Sequence, residues 1–377
     1  MDTTDRPTWP KILLTLATFG AFAGVLMALH FASDLIGPLF VALNLLIAAW
    51  PVRTALLRRG VAKPLATTAL GLVVFLVLGL GVFALYWGIS SLIKELPDYQ
   101  AQFTALYHQL LAWAESFGIT QAAILEQLQG VSPSSIAGLA SSAVSSVSGV
   151  VTALGVAAVM LFMLIPDSLS FDARSRALER HQHDMAVALE DFVAGVRRYW
   201  VVTSVFGLIV AVLDVGVLLV LGVPLAFVWG IISFLTNYIP NVGFLLGVIP
   251  PALMAILAHG PTSALIVVIA YSAINFVIQS VIQPKFNGDA VGVTALVSFL
   301  SLLLWSAVLG PIGALLGLPM TLLFKALLID HDPGMRWFNL LIASDAATSD
   351  PQDAETETVP TPEPDAEAAT ATATATA

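Results

Sequence analysis

The sequence predicts an all-α, polytopic membrane protein with broken or re-entrant helices and an extramembrane helical segment after its third span. Three observations predict it. Of the 377 residues, 58% are hydrophobic and 11% are charged, against roughly 25% charged in a soluble domain. Uncharged stretches recur along the chain, several of them near the roughly 20 residues that a helix needs to cross a bilayer core. Two further stretches are far longer than one span and are interrupted by proline and glycine.

The N-terminal region, residues 1–93, reads as three spans. Ile12–Ala32 is uncharged for 21 residues. A cleaved signal peptide is the rival reading, but the apolar region is too long, no small-residue cleavage site follows, and more spans come after. Leu35–Trp50 is the second span, followed by a basic loop with Arg53, Arg58, Arg59 and Lys63, and Leu65–Ile93 is the third. Residues 94–133 turn polar, with Leu96, Tyr99, Phe103, Leu106, Leu110, Trp113 and Phe117 spaced by threes and fours. That spacing predicts an amphipathic helix outside the membrane, its stripe packing on its own protein, on headgroups or on a second subunit.

Residues 134–166 form the fourth span, and its serines and glycines at every fourth position suit close helix packing in lipid. Residues 167–200 predict a cytoplasmic amphipathic helix. Its His181, His183 and Asp184 read as a solvated face, and no metal site is expected. Residues 201–328 form the C-terminal core. Val215–Ala258 runs 44 residues without a charge, so the chain must fold back, with breaks expected near Pro240 and at Pro250 and Pro251. Thr262–Pro284 is another span, and Ala290–Phe324 is a second broken pair interrupted at Gly310, Pro311 and Pro319. Residues 329–377 form an acidic tail expected to be disordered; from Asp345 it holds eight of the acids behind the net charge of −10.

With a cytoplasmic N-terminus, these spans put 14 of the 15 bases inside and only Lys94 outside, so both termini are expected in the cytoplasm. Cysteine is absent, which excludes disulfides and thiolate chemistry. No basic stripe for nucleic acid, no phosphate-binding loop and no paired catalytic residues occur, so neither an enzyme nor a cofactor is expected.

Three groups of residues are candidates for a transport path. Asp214 lies well inside a span, where a carboxylate costs roughly 2.5–3.5 kcal/mol on insertion scales. It must face a cavity, a partner or a cation, or be neutral and hydrogen-bonded. Tyr271, Asn275, Gln279 and Gln283 recur every fourth position and put one polar face on a span; that face is either interhelical glue or the wall of a solute path. Asn237, Tyr238, Pro240, Asn241 and Gly243 form a polar cluster at the break of the long apolar stretch, where unwound backbone needs protein or a cavity around it.

The run Asn237-Tyr238-Ile239-Pro240-Asn241-Val242-Gly243, followed by Ile249-Pro250-Pro251, resembles the signature of the autoinducer-2 exporter family of bacterial multi-pass membrane transporters. So do Leu300-Ser301-Leu302 to Trp305, Leu309-Gly310-Pro311-Ile312-Gly313 and Leu318-Pro319-Met320-Thr321. The resemblance implies about eight transmembrane helices in the bacterial inner membrane, a homo-oligomer, and export of a small solute such as autoinducer-2. Some members are described as sodium/proton antiporters, which makes sodium or protons the alternative partners. Many members carry a glutamate just before the Ile-Pro pair, where this chain has Thr236 and Asn237. A membrane scaffold that transports nothing is the reading from another class.

Overall fold

The computed structural model describes residues 11–116, 135–239, 242–283, 293–332 and 334–342. They form helices and turns, with no strand among them. In lipid every backbone polar group needs an internal partner, which an α-helix supplies within itself.

The first three helices are α1 (Lys11–Phe31), α2 (Ser33–Arg58) and α3 (Lys63–Glu95). A 3-10 turn over Leu96–Tyr99 leads into α4 (Gln100–Glu115). Then come α5 (Ser135–Asp167), α6 (Phe171–His181) and α7 (His183–Val220). The C-terminal core is built from α8 (Ala226–Thr236), α9 (Gly243–His259), α10 (Pro261–Asn275), α11 (Ala295–Leu309) and α12 (Pro311–Lys325). Helices α10 and α12 each run on into a π-helical stretch, Phe276–Ile282 and Ala326–Asp330. Six helices among the described residues are long and apolar enough to cross a membrane, and four shorter apolar ones accompany them. Large side chains such as Leu72, Phe83 and Val212 are exposed along these helices, as a lipid solvent requires.

Helix α7 organises the packing. Thr203, Gly207, Val210, Asp214 and Leu218 follow one another by threes and fours on its buried face, while Val205, Leu208, Val212 and Leu219 point outward. Its first half joins the larger core cluster through Phe192, Val196 and Trp200, together with α2, α3, α5, α11 and α12. Its last turns join a second cluster through Leu218, with α8, α9 and α10.

Two helical hairpins meet α7 at opposite ends. The α8–α9 hairpin has its open end beside the last turn of α7, where a Cβ on Gly222 would lie 3.7 Å from the His259 ring. The open end of the α11–α12 hairpin lies toward the first half of α7, whose core cluster also holds Leu322 and Ala326. Helix α8, at 11 residues, is only about 16 Å long and cannot cross a core of about 30 Å by itself.

Several expectations need correction. The predicted single helix over 167–200 is divided at Gln182, and from His183 it continues without interruption to Val220. Neither proline nor glycine occurs in α7 before Gly195, so no residue there stops the helix. Arg53 lies inside α2 and is buried. It donates to Thr67 Oγ1 at 3.3 Å and to Asp172 Oδ2 at 3.1 Å, partners from α3 and α6 that let a guanidinium leave water.

Pro250, Pro251 and Pro319, read as breaks, lie within α9 and α12. Proline is more frequent in membrane helices than in soluble ones, and here the helices continue through all three. Gly310 and Pro311 do divide two helices: Gly310 has φ of +67°, which favours glycine, and Pro311 begins α12. The tail expected to be disordered begins with structure: the π-helical stretch runs to Asp330, a 3-10 turn covers Arg336–Phe338 and a short helix covers Asn339–Ile342. Residues 343–377 and Pro284 lie outside the described residues, as does Phe117 of the predicted stripe.

Candidate functional site

The site is assembled where the α8–α9 hairpin meets α7 and α10. Small residues set the approach. A Cβ on Gly230 of α8 would lie 2.2 Å from Val215 Cγ2 of α7. A Cβ on Gly243, the first residue of α9, would lie 1.9 Å from the Thr236 carbonyl oxygen. Only glycine permits that contact, so the hairpin closes tightly around its break.

The break must satisfy its own backbone. The Ile239 N–H donates to the Thr236 carbonyl at 2.9 Å, and the Gly243 N–H donates to the Ile239 carbonyl at 2.9 Å. The Tyr238 carbonyl accepts from the Tyr199 hydroxyl of α7 at 2.9 Å. Tyr238 is itself buried, with its hydroxyl 2.7 Å from Ser204 Oγ and its ring 5.2 Å from that of Trp200. Trp200 Nε1 donates to Asn44 Oδ1 at 2.9 Å, which carries the network into α2. Pro240 and Asn241 lie outside the described residues.

The polar face of α10 reaches this break. Gln279 Nε2 donates to Asn237 Oδ1 at 2.7 Å and to Asn275 Oδ1 at 2.8 Å. Asn275 Nδ2 donates to the Tyr271 carbonyl at 3.0 Å. Gln279 sits within the π-helical stretch Phe276–Ile282, a wider turn of the kind that often marks functional positions. Gln283, one residue beyond it, is half-buried.

Asp214 is fully buried on α7, and its Oδ2 accepts from Ser233 Oγ at 2.5 Å. Among the described residues its Oδ1 has no partner, nor does the buried Tyr271 hydroxyl, which lies within electrostatic reach of Asp214. Between these helices is a void of about 10 Å³, lined by Val210, Ser233, Thr236, Asn237, Gly243, Phe244, Gly247, Tyr271 and Asn275. That is close to the least space that holds one water. Pro251 has no N–H, so the Gly247 carbonyl at this void lacks its helical donor. The helices therefore meet at a polar centre with unused hydrogen-bonding capacity.

Asp214, Asn237, Gly243, Tyr271 and Asn275 are brought to this centre, with Gln279 bridging two of them. Gly310, Pro311 and Pro319 lie in the other hairpin, where a Cβ on Gly313 would come within 1.8 Å of the Trp305 carbonyl oxygen. Ser233, Thr203, Asn44 and Tyr199 were not singled out as site residues in the sequence. Ser233 is preceded by Gly230, the three-residue spacing of small residues that accompanies close packing, but only folding shows that it faces Asp214. Asn44 had a clear signal, being the sole asparagine in the second uncharged span.

Fold and site together define a multi-pass membrane protein whose polar centre is enclosed by a broken helical hairpin and a polar helix face. The chain belongs to the AI-2E family of transporters, whose profile matches residues 19–331. It is 28% identical over 316 residues to the AI-2 transport protein TqsA of Escherichia coli K12, covering 84% of this chain and 90% of that one. It is 28% identical over 324 residues to YhhT of the same organism, covering 84% and 90%. A Haemophilus influenzae relative is 30% identical over 323 residues, covering 82% of this chain and 91% of its own.

Proposed function

We propose that this protein is a secondary transporter that exports a small polar solute, autoinducer-2 or a close chemical relative, across the bacterial inner membrane. The solute path runs between the break at 237–243 and the polar face of α10. The observation that carries this reading is the void lined by Asn237 and Asn275, with unpartnered Asp214 and Tyr271 oxygens beside it. Unwound backbone facing a polar helix inside a membrane is where transporters bind their substrates. A void that holds about one water is too small for a solute. Transport therefore requires the α8–α9 hairpin to move relative to α10.

The supporting relative is TqsA, whose name gives AI-2 transport as its role. Both termini are assigned to the cytoplasm from the distribution of bases. The working unit is a homo-oligomer, with the α4 stripe as one contact surface. Leu111 of α4 is already buried within its own subunit, which leaves Phe103 and Leu106, half-exposed, for a second copy.

A second reading is sodium/proton antiport through Asp214, favoured by its buried, unpartnered Oδ1. Flux of autoinducer-2 in proteoliposomes, with and without sodium and pH gradients, tests both. Autoinducer-2 flux that needs neither gradient supports export alone. Proton movement driven by sodium without autoinducer-2 supports antiport. Absence of both supports a membrane scaffold that transports nothing.

A further inference from the structure

Arg53 anchors a second polar feature, built from residues that do not line the void. It is 1% exposed, lies 4.6 Å above the Trp50 ring, and joins α2 to Thr67 of α3 and to Asp172 of α6. Phe171 adds an edge contact to Trp50 at 5.4 Å. The start of α6 is thus fastened to the junction of α2 and α3.

This lock lies at the membrane boundary. Between Asp34 and Arg53, between Lys63 and Lys94, and between Ser135 and Asp167 the three helices carry no charge. A tryptophan beside the first bases of a span is the usual signature of the headgroup level.

Around the lock stand six exposed bases, Arg58, Arg59, Lys63, Arg174, Arg176 and Arg180. None of them forms an ion pair among the described residues. Arg176 and Arg180 each spend their Nε on a backbone carbonyl of α6, which leaves their other guanidinium N–H groups without a partner among the described residues. The acids nearest in sequence are Asp167 and Glu179, both exposed, and Asp172, which Arg53 already holds. The patch therefore keeps a clear positive excess. Exposed Leu65, Leu169 and Phe171 adjoin it, at 64%, 43% and 50% exposure.

We propose that the α2–α3 junction and α6 form a binding surface for anionic phospholipid headgroups. Guanidinium groups donate paired hydrogen bonds to phosphate, and the neighbouring apolar side chains meet the acyl chains of the same lipid. Charge complementarity selects an anionic lipid over a zwitterionic one, because a quaternary amine would lie against the same bases. The surface is separate from the solute path and does not depend on which solute is carried.

The test is lipid retention by the full chain in native mass spectrometry, after reconstitution in equal phosphatidylglycerol and phosphatidylcholine. The wild type should retain phosphatidylglycerol with roughly tenfold preference, as expected for several bases near an anionic surface. Combined Arg58→Gln, Arg59→Gln, Arg174→Gln and Arg176→Gln should abolish the preference, while Lys94→Gln at the far end of α3 should keep it. Raising salt to about 0.5 M on the wild type should also cut the preference, a measurement that needs no variant. Inorganic phosphate should neither compete nor raise the thermal midpoint. No preference in the wild type, a preference that survives the quadruple change or high salt, or equal binding of inorganic phosphate would each overturn the proposal.

Discussion

Gln279 Nε2 donates to Asn237 Oδ1 across 2.7 Å, and this bond joins the polar face of α10 to the broken end of α8. The same amide also reaches Asn275. One side chain therefore ties together Asn237 and Asn275, both of which line the void. Gln279→Leu preserves the volume but leaves Asn237 and Asn275 short of a donor. Autoinducer-2 flux in proteoliposomes should fall by roughly tenfold or more, the effect of about one unmade buried hydrogen bond. Size-exclusion behaviour should stay unchanged.

Glycine at the break should tolerate nothing larger. Gly243→Ala puts a Cβ 1.9 Å from the Thr236 carbonyl oxygen and must push the hairpin open. Gly216→Ala on α7, with nothing within 4 Å of its Cβ, is the matched control. We expect the first to lose flux and several degrees of thermal midpoint, and the second to retain both.

Tyr199→Phe removes a single hydroxyl and leaves the Tyr238 carbonyl of the break without its donor. An unsatisfied buried acceptor costs about 1–3 kcal/mol. Thermal unfolding in detergent should report a loss of that order. A wild-type midpoint would mean that another group or a water serves the carbonyl.

Asp214→Asn keeps the size of the side chain and an acceptor for Ser233, while removing the charge that the antiport reading needs. Sodium-driven proton movement, if the wild type has it, should vanish in this variant. Autoinducer-2 flux should change far less than in Gln279→Leu, because Asp214 is not among the residues that line the void.

The natural absence of cysteine allows single-cysteine mapping without a prior background change. A cysteine at Gln102 should react with an impermeant thiol reagent from outside intact cells, and one at Ser175 should not. The reverse pattern would invert the topology drawn from the bases.

The broad fold was legible because lipid enforces it: a run of about 20 uncharged residues has few structures open to it. The hairpin breaks were legible only in part. Asn237–Gly243 and Gly310–Pro311 interrupt helices, whereas α9 runs on through Pro250 and Pro251, because a proline costs a helix one N–H donor without ending it when the backbone keeps its helical angles. The four-residue repeat from Tyr271 placed Asn275 and Gln279 on one face correctly. It could not reveal the π-helical turn that carries Gln279 to Asn237. Ser233 and Tyr199 had no distinguishing signal because hydroxyls are common in membrane helices, and Thr203 acts through its backbone carbonyl, which accepts from Asn237 Nδ2 at 3.4 Å and is invisible in a side-chain pattern.

The most direct test of the path is the reactivity of a single cysteine at Asn275 during transport. Asn275 lines the void, and its side chain bonds to the Tyr271 carbonyl and to Gln279. With autoinducer-2 moving through proteoliposomes, a small hydrophilic thiol reagent should modify Asn275→Cys and stop the flux, and excess autoinducer-2 should slow the modification. Full flux through a protein whose Cys at this position never reacts, or reacts without effect, would contradict the account.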